Sequence, residues 1–170
     1  MAKRRSYRSQ LKVLQLLLLD VDGVLTDGGV FFAESGDEWK KFNIQDGYGI
    51  VRLQKSGVKV GIITGRFSRL VERRAKELGI SETYQNLENK LEAYEAIKVK
   101  LGLTDREIAY IGDDEPDLPV MKKTAFSAAP ADAVAMVRRA ADYVCKRKGG
   151  EGAVREVIDL ILDQRKDGER

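Results

Sequence analysis

The chain has 170 residues, 43% of them hydrophobic and 34% charged, which suits one soluble globular domain burying about 70% of the surface its unfolded form exposes. A formal net charge of +3 is too small to argue for a nucleic-acid partner. Histidine is absent and Cys145 is the single cysteine. This excludes Ser-His-Asp and Cys-His catalysis, histidine or multi-cysteine metal sites and an intrachain disulfide, and it suits a cytoplasmic location.

In chain order, Lys3, Arg4, Arg5 and Arg8 open a basic segment, and residues 1–12 are expected to form a mobile, solubilising tail. The apolar run that follows is interrupted by Gln15, ends at Asp20 and is far too short to span a membrane. It reads instead as a buried strand, Leu16–Leu19, leading into Asp20-Val21-Asp22. Alternation predicts that the two carboxylates leave the strand on one side. Two like charges that close need a cation or a shared proton between them.

Val30–Ala33 and Glu38–Phe42 flank the turn-rich Glu34-Ser35-Gly36-Asp37 and predict an inserted β-hairpin. Lys59–Ile63 is a second apolar strand, ending at Thr64-Gly65-Arg66. Phe67, Leu70, Val71, Ala75 and Leu78 recur at helical spacing up to Gly79. A further helix fits Leu87 to Leu101, with Leu87, Leu91, Tyr94, Ile97 and Leu101 inward and Gly102 as its stop. Ile108-Ala109-Tyr110-Ile111-Gly112-Asp113 is a third strand that again ends in a carboxylate, followed by Asp114.

Ala125–Ala128 and Tyr143–Val144 are weaker strands, separated by a helix through Val134 and Val137. Val154, Val157, Ile158, Ile161 and Leu162 mark the last helix. Strands alternating with helices imply an α/β fold, a three-layer doubly wound parallel sheet, as one domain over residues 13–164 with a mobile end at 165–170.

Three strands thus end in polar signatures, which a parallel sheet brings to one edge. A hard, all-oxygen set of this kind suits magnesium. A carboxylate can attack phosphorus, and Thr64 and Gly65 offer a hydroxyl and an amide to phosphate oxygens. Lys90, near a helix start, gains nothing from the helix dipole, so a role facing an anion would account for its place.

At these residues the chain resembles the haloacid dehalogenase superfamily of aspartate-nucleophile phosphohydrolases. Its ordered pattern is met by Asp20 to Thr26, Thr64-Gly65, Lys90 and Gly112-Asp113-Asp114. The resemblance implies that Asp20 is the nucleophile and a magnesium ligand. Asp22 would be the acid/base and lend its backbone carbonyl to the metal, and Asp113 would be the third ligand. Asp114 and Asp117 would support that ligand or the metal's waters, although Asp117 could also merely cap a short Pro116–Lys122 helix. Thr64, Gly65 and Thr26 would lie at the phosphate, and Lys90 would hold the phosphoryl group and orient Asp20.

No cap domain is expected, because only the hairpin separates the first motif from the next helix. Water exclusion then falls to another subunit. Asp27-Gly28-Gly29, Phe42 to Ile50, Gly112 to Met121 and Gly149 to Glu156 resemble 3-deoxy-D-manno-octulosonate 8-phosphate phosphatases. That resemblance implies a sugar acid phosphate substrate, lipopolysaccharide precursor synthesis and a homotetramer with hairpins at its centre. It also implies a C-terminal tail that closes over the substrate.

Glu151 departs from the basic residue or His usual there. Glu-Trp-Lys-Lys-Phe and Gly-Gly-Glu-Gly resemble a branch acting on 2-keto-3-deoxynonulosonate or sialic acid 9-phosphate. Arg66 favours the octulosonate, since that other branch tends to carry Glu there and a guanidinium suits the substrate's carboxylate. Phe31, Phe32 and Trp39 read as interface packing, and Arg73 and Arg74 as a solvated face. Arg155 could pair with Glu151 or contact ligand. A non-catalytic oligomerisation or regulatory module is the competing reading; retention of Asp20, Asp22, Thr64, Lys90 and Asp113 argues against it.

Overall fold

All four leucines of the first strand are fully buried. Leu16 and Leu18 pack into one core, Leu17 and Leu19 into another. A strand buried on both faces must lie mid-sheet between two helical layers, and that constraint organises the computed structural model, which describes residues 7–166.

In chain order the elements are α1 (Arg8–Val13), β1 (Leu16–Leu19), β2 (Phe31–Phe32), β3 (Glu38–Trp39), α2 (Ile44–Lys55), β4 (Lys59–Ile63), α3 (Arg69–Glu77) and β5 (Glu82–Tyr84). There follow α4 (Lys90–Leu101), β6 (Ile108–Ile111), α5 (Leu118–Met121), β7 (Phe126–Ala129), α6 (Ala135–Ala140), β8 (Tyr143–Val144) and α7 (Ala153–Lys166). The main sheet runs β5-β4-β1-β6-β7-β8, every neighbouring pair parallel. Side chains of α1, α2, α3 and α7 fill one face and those of α4, α5 and α6 the other. The three-layer doubly wound fold is as expected, down to the two weaker strands.

Local sequence sets the helix starts. Asn43, Ser68 and Asn89 each accept backbone amides at the N-termini of α2, α3 and α4. Ser68 as cap leaves Phe67 outside α3, where it is exposed rather than inward. Val134 likewise precedes α6 and is part-exposed, while Val137 is buried. The hairpin β2–β3 is a separate two-stranded ribbon, pairing Phe31 with Trp39 and Phe32 with Glu38. Among the described residues it is the only sheet element between β1 and α2, and no cap domain is present.

The expected tail over residues 1–12 is corrected from residue 8 onward. Residues 1–6 lie outside the described residues, but Arg8–Val13 is helical and Leu11 is fully buried in the core beside α7. Tyr7 packs its ring on Phe126 and Tyr143. At the other end Arg165 donates to the carbonyls of Lys12 and Leu14, so the domain extends beyond residue 164; residues 167–170 lie outside the described residues. Leu11→Ala should therefore lower unfolding free energy by about 2 kcal/mol or more, read from urea titration; a mobile tail would show no change.

Candidate active site

The adjacency of β4, β1 and β6 delivers Thr64, Asp20 and Asp113 to one sheet edge. Leu19 is in register with Ile62 on one side and Ile111 on the other, so the three residues follow within a step or two of that level. The Asp20 amide donates to the Ile111 carbonyl at 3.1 Å, and the Thr64 amide to that of Tyr84 at 3.0 Å. Even-numbered residues of β1 face α4, and Asp20 continues that parity toward Lys90 at the first position of α4.

Lys90 Nζ lies 2.8 Å from Asp20 Oδ2 and 2.7 Å from Asp117 Oδ1, all three side chains buried. The same Asp117 oxygen accepts from the Tyr110 hydroxyl at 2.6 Å, and its Oδ2 accepts the amides of Asp113 and Asp114 at 2.9 and 3.1 Å. Asp117 is therefore more than a helix cap: it joins α4, β6 and the loop after β6 from a fully buried position. A Cβ at Gly112 would collide with its carboxylate, so the loop closes around Asp117 because residue 112 has no side chain.

One carboxylate oxygen from each of Asp20, Asp113 and Asp117 lies within 4.8 Å of the others. Three carboxylates face one ammonium, and the imbalance is visible in their protonation. Burial, then the Asp117 charge, pushes Asp20 up to about 6 against the opposing pull of Lys90. Burial, then Asp20 and Asp117, pushes Asp113 up to about 8. For Lys90 burial opposes the charge, but Asp20 and Asp117 outweigh it and hold the ammonium above its ordinary value.

Asp113 Oδ1 is buried without a hydrogen-bond partner. Asp117 has both oxygens filled by N–H and O–H donors, whereas Asp20 spends one on Lys90 and accepts the Val21 amide with the other. The residues thus fit a hard divalent cation on Asp20 and Asp113, with Asp117 behind them. Gly23, at φ +87°, passes so close to Asp113 that any Cβ would strike its carboxylate.

Asp22 parts company with Asp20. The strand ends at Leu19, and the Val21 carbonyl accepts the amides of Val24, Leu25 and Thr26 in a tight turn, so alternation no longer applies. The Asp22 carboxylate instead pairs with Lys40 of the hairpin through Oδ1 and lies 3.8 Å from Arg66 through Oδ2. Arg66 also lies 3.5 Å from Glu38, which Lys40 contacts at 3.0 Å. Hydrogen bonding to Lys40 keeps the Glu38 carboxyl below its usual range.

Other expected residues divide. Thr64 is buried at the sheet edge with Gly65 after it. Thr26 is turned inward: its hydroxyl accepts the Gly23 and Gly28 amides and donates to the Val21 carbonyl, so it shapes the loop rather than facing a ligand. Asp114 is exposed and caps the turn at Glu115. Arg155 pairs with Asp159 at 2.8 Å, not with Glu151. Arg74 stacks on Phe42 and pairs with Glu77. Burial pushes the Cys145 thiol up to about 12, leaving it inert.

The segment Gly149–Gly152 backs the loop after β1: the Gly150 amide donates to the Val24 carbonyl, and Asn43 donates to the Gly150 carbonyl.

Lys40, Glu38 and Tyr110 were not anticipated as site residues. Their signals are faint but physical. Glu38 and Lys40 are opposite charges on one face of an alternating strand, and a tyrosine inside an apolar strand needs a partner for its hydroxyl.

Residues 49–123 match the haloacid dehalogenase-like hydrolase family. The chain is 49% identical over 149 residues to the 3-deoxy-D-manno-octulosonate 8-phosphate phosphatase KdsC of Escherichia coli K12, covering 88% of this chain and 79% of that one. It is similar to the 3-deoxy-D-manno-octulosonate 8-phosphate phosphatase of Moraxella catarrhalis, solved with magnesium, phosphate and KDO (TM-score 0.92, 42% identity, 95% of this chain and 92% of that one). A further relative is the cobalt-bound deoxy-D-mannose-octulosonate 8-phosphate phosphatase of Haemophilus influenzae (TM-score 0.89, 37% identity, 92% of each chain).

A carboxyl raised from 3.8 to about 8 by folding contributes stability below pH 4 that is lost as pH climbs toward 8. Asp113→Asn removes that liability. Its metal-free melting temperature at pH 8 should equal or exceed that of the parent, while the rise that magnesium gives the parent should vanish; scanning fluorimetry with and without magnesium reads both.

Proposed function

The chain belongs to the haloacid dehalogenase-like hydrolases, within the 3-deoxy-D-manno-octulosonate 8-phosphate phosphatases, and on that premise we propose how its residues divide the hydrolysis of this ester. The protein is a phosphatase that releases the free sugar acid and inorganic phosphate. The observation that carries the residue assignment is the buried Asp20, gripped by Lys90 and backed by Asp117, beside the unpartnered oxygen of Asp113.

Lys90 fixes Asp20 through Oδ2, and Oδ1, which accepts only the Val21 amide, attacks phosphorus with its remaining lone pair. As the Asp20–phosphorus bond forms, the ester P–O bond breaks and Asp22 delivers a proton to the departing sugar oxygen. Asp22 then takes a proton from water, whose oxygen attacks the same phosphorus. The bond to Asp20 breaks, and phosphate leaves with Asp20 restored as a carboxylate. Thr64, Gly65 and Lys90 orient the phosphoryl oxygens. Bound magnesium, held by Asp20, Asp113 and the Asp22 main-chain carbonyl, supplies charge neutralisation on those oxygens.

Arg66, half-exposed at the mouth, meets the substrate carboxylate with its planar fork. Phe31 and Trp39, cross-strand partners on one face of the hairpin, are exposed, as is Phe32 on the other face. A homotetramer assembled through the hairpins covers these rings and brings a neighbour over the open site. No helix among the described residues is long and apolar enough to cross a membrane. A cytoplasmic place in lipopolysaccharide precursor synthesis fits the substrate and the reduced, buried Cys145.

Phosphate release from a panel of sugar acid phosphates should be fastest with the eight-carbon 8-phosphate, and chelation should abolish it until magnesium is restored. Faster release from a nine-carbon 9-phosphate would overturn the role given to Arg66. Asp20→Asn should cut turnover on the order of a thousandfold or more with an unchanged circular-dichroism spectrum. Trp39→Glu should reduce the mass seen by light scattering and lower activity with it.

A further inference from the structure

The hairpin's charged face is not needed to present its aromatic face, yet it reaches into the site. Lys40 is the link. Its side chain is 1% exposed, so its ammonium must find charge partners within the protein. It finds two: Asp22 Oδ1 from the loop after β1, and Glu38 Oε1 at 3.0 Å from its own ribbon. Glu38 in turn meets Arg66, which also approaches the second oxygen of Asp22. Two acids and two bases thus alternate across three chain segments. Elsewhere the hairpin is tethered to the nucleophile loop by the exposed Lys41–Asp27 pair at 2.9 Å, a contact water weakens.

Resting on the role assigned above to Asp22, we propose that Lys40 is a positioning residue that anchors the Asp22 carboxyl for proton transfer and makes hairpin placement a condition of catalysis. The geometry suits the task. Lys40 donates to Oδ1, a bond that survives whether or not the carboxyl carries a proton, because Oδ1 remains an acceptor in both forms. Oδ2 is left as the proton-bearing oxygen. It is released when Arg66 turns from Asp22 and Glu38 to a substrate carboxylate.

Neither Lys90 nor Asp117 can substitute, since both are spent on Asp20 and its surroundings. Whatever fixes the aromatic side of the ribbon therefore also fixes Lys40, and through it the proton donor.

The test exploits leaving groups. kcat/KM reports steps through the first irreversible event, cleavage of the ester. A sugar alkoxide needs a proton at that point, and a nitrophenolate does not. Lys40→Met should lower kcat/KM for the sugar acid phosphate by about thirtyfold or more and for p-nitrophenyl phosphate by no more than about threefold, with Lys40→Arg recovering most of the difference.

Equal losses on both esters, or no loss on either, would overturn the proposal while leaving the phosphatase assignment intact. That assignment fails instead if the parent protein hydrolyses neither. Glu38→Gln, which keeps Lys40 and removes one of its anchors, should show the same split at smaller amplitude. An unchanged ratio in that variant counts against the proposal even if Lys40→Met does not fold.

Discussion

Uncompensated negative charge at the end of β1 and β6 is the constraint around which the structure is arranged. Three carboxylates share a pocket with one ammonium, and burial makes each extra charge expensive. The protein answers with geometry rather than with more cations. Asp117 is neutralised in effect by Lys90, a tyrosine hydroxyl and two backbone amides, and becomes part of the scaffold. Asp20 keeps a lysine on one oxygen, and Asp113 keeps an oxygen with nothing on it. What remains is a deficit of positive charge confined to two side chains, which is how a fold can reserve a place for a cation without closing it.

A second charge cluster, of different character, lies at the mouth. There Asp22, Glu38, Lys40 and Arg66 balance in sign and are held by three separate chain segments. The inner cluster is rigid because it is welded into α4 and β6. The outer one depends on a two-stranded ribbon with its aromatic side in water. The former is held by buried partners, whereas the latter includes the half-exposed Arg66.

Much of this was legible in the amino-acid sequence because strand ends are legible. Apolar runs stopping at Asp20, Thr64 and Asp113 announce a parallel sheet with its polar residues on one edge, and the sheet order then makes them neighbours. Less visible was what happens one residue further. Alternation suggests that Asp20 and Asp22 act as a pair, but the Val21 carbonyl collects three amides and swings Asp22 to the hairpin. The Thr26 hydroxyl is engaged in that same turn, which a motif pattern does not reveal. Lys40 and Tyr110 were illegible because their partners are distant in sequence. Basic composition at the start of the chain masks the one leucine, at position 11, that docks Arg8–Val13 into the core.

Lys90 is both the partner of Asp20 and the first residue of α4. Fraying of that turn, which costs most helices little, would here strand two buried carboxylates at once. Helix start and reaction centre therefore open together or not at all. The turn at which helices ordinarily begin to fray is here tied to the buried carboxylates by a single side chain, with only the Leu91 amide capped, by Asn89.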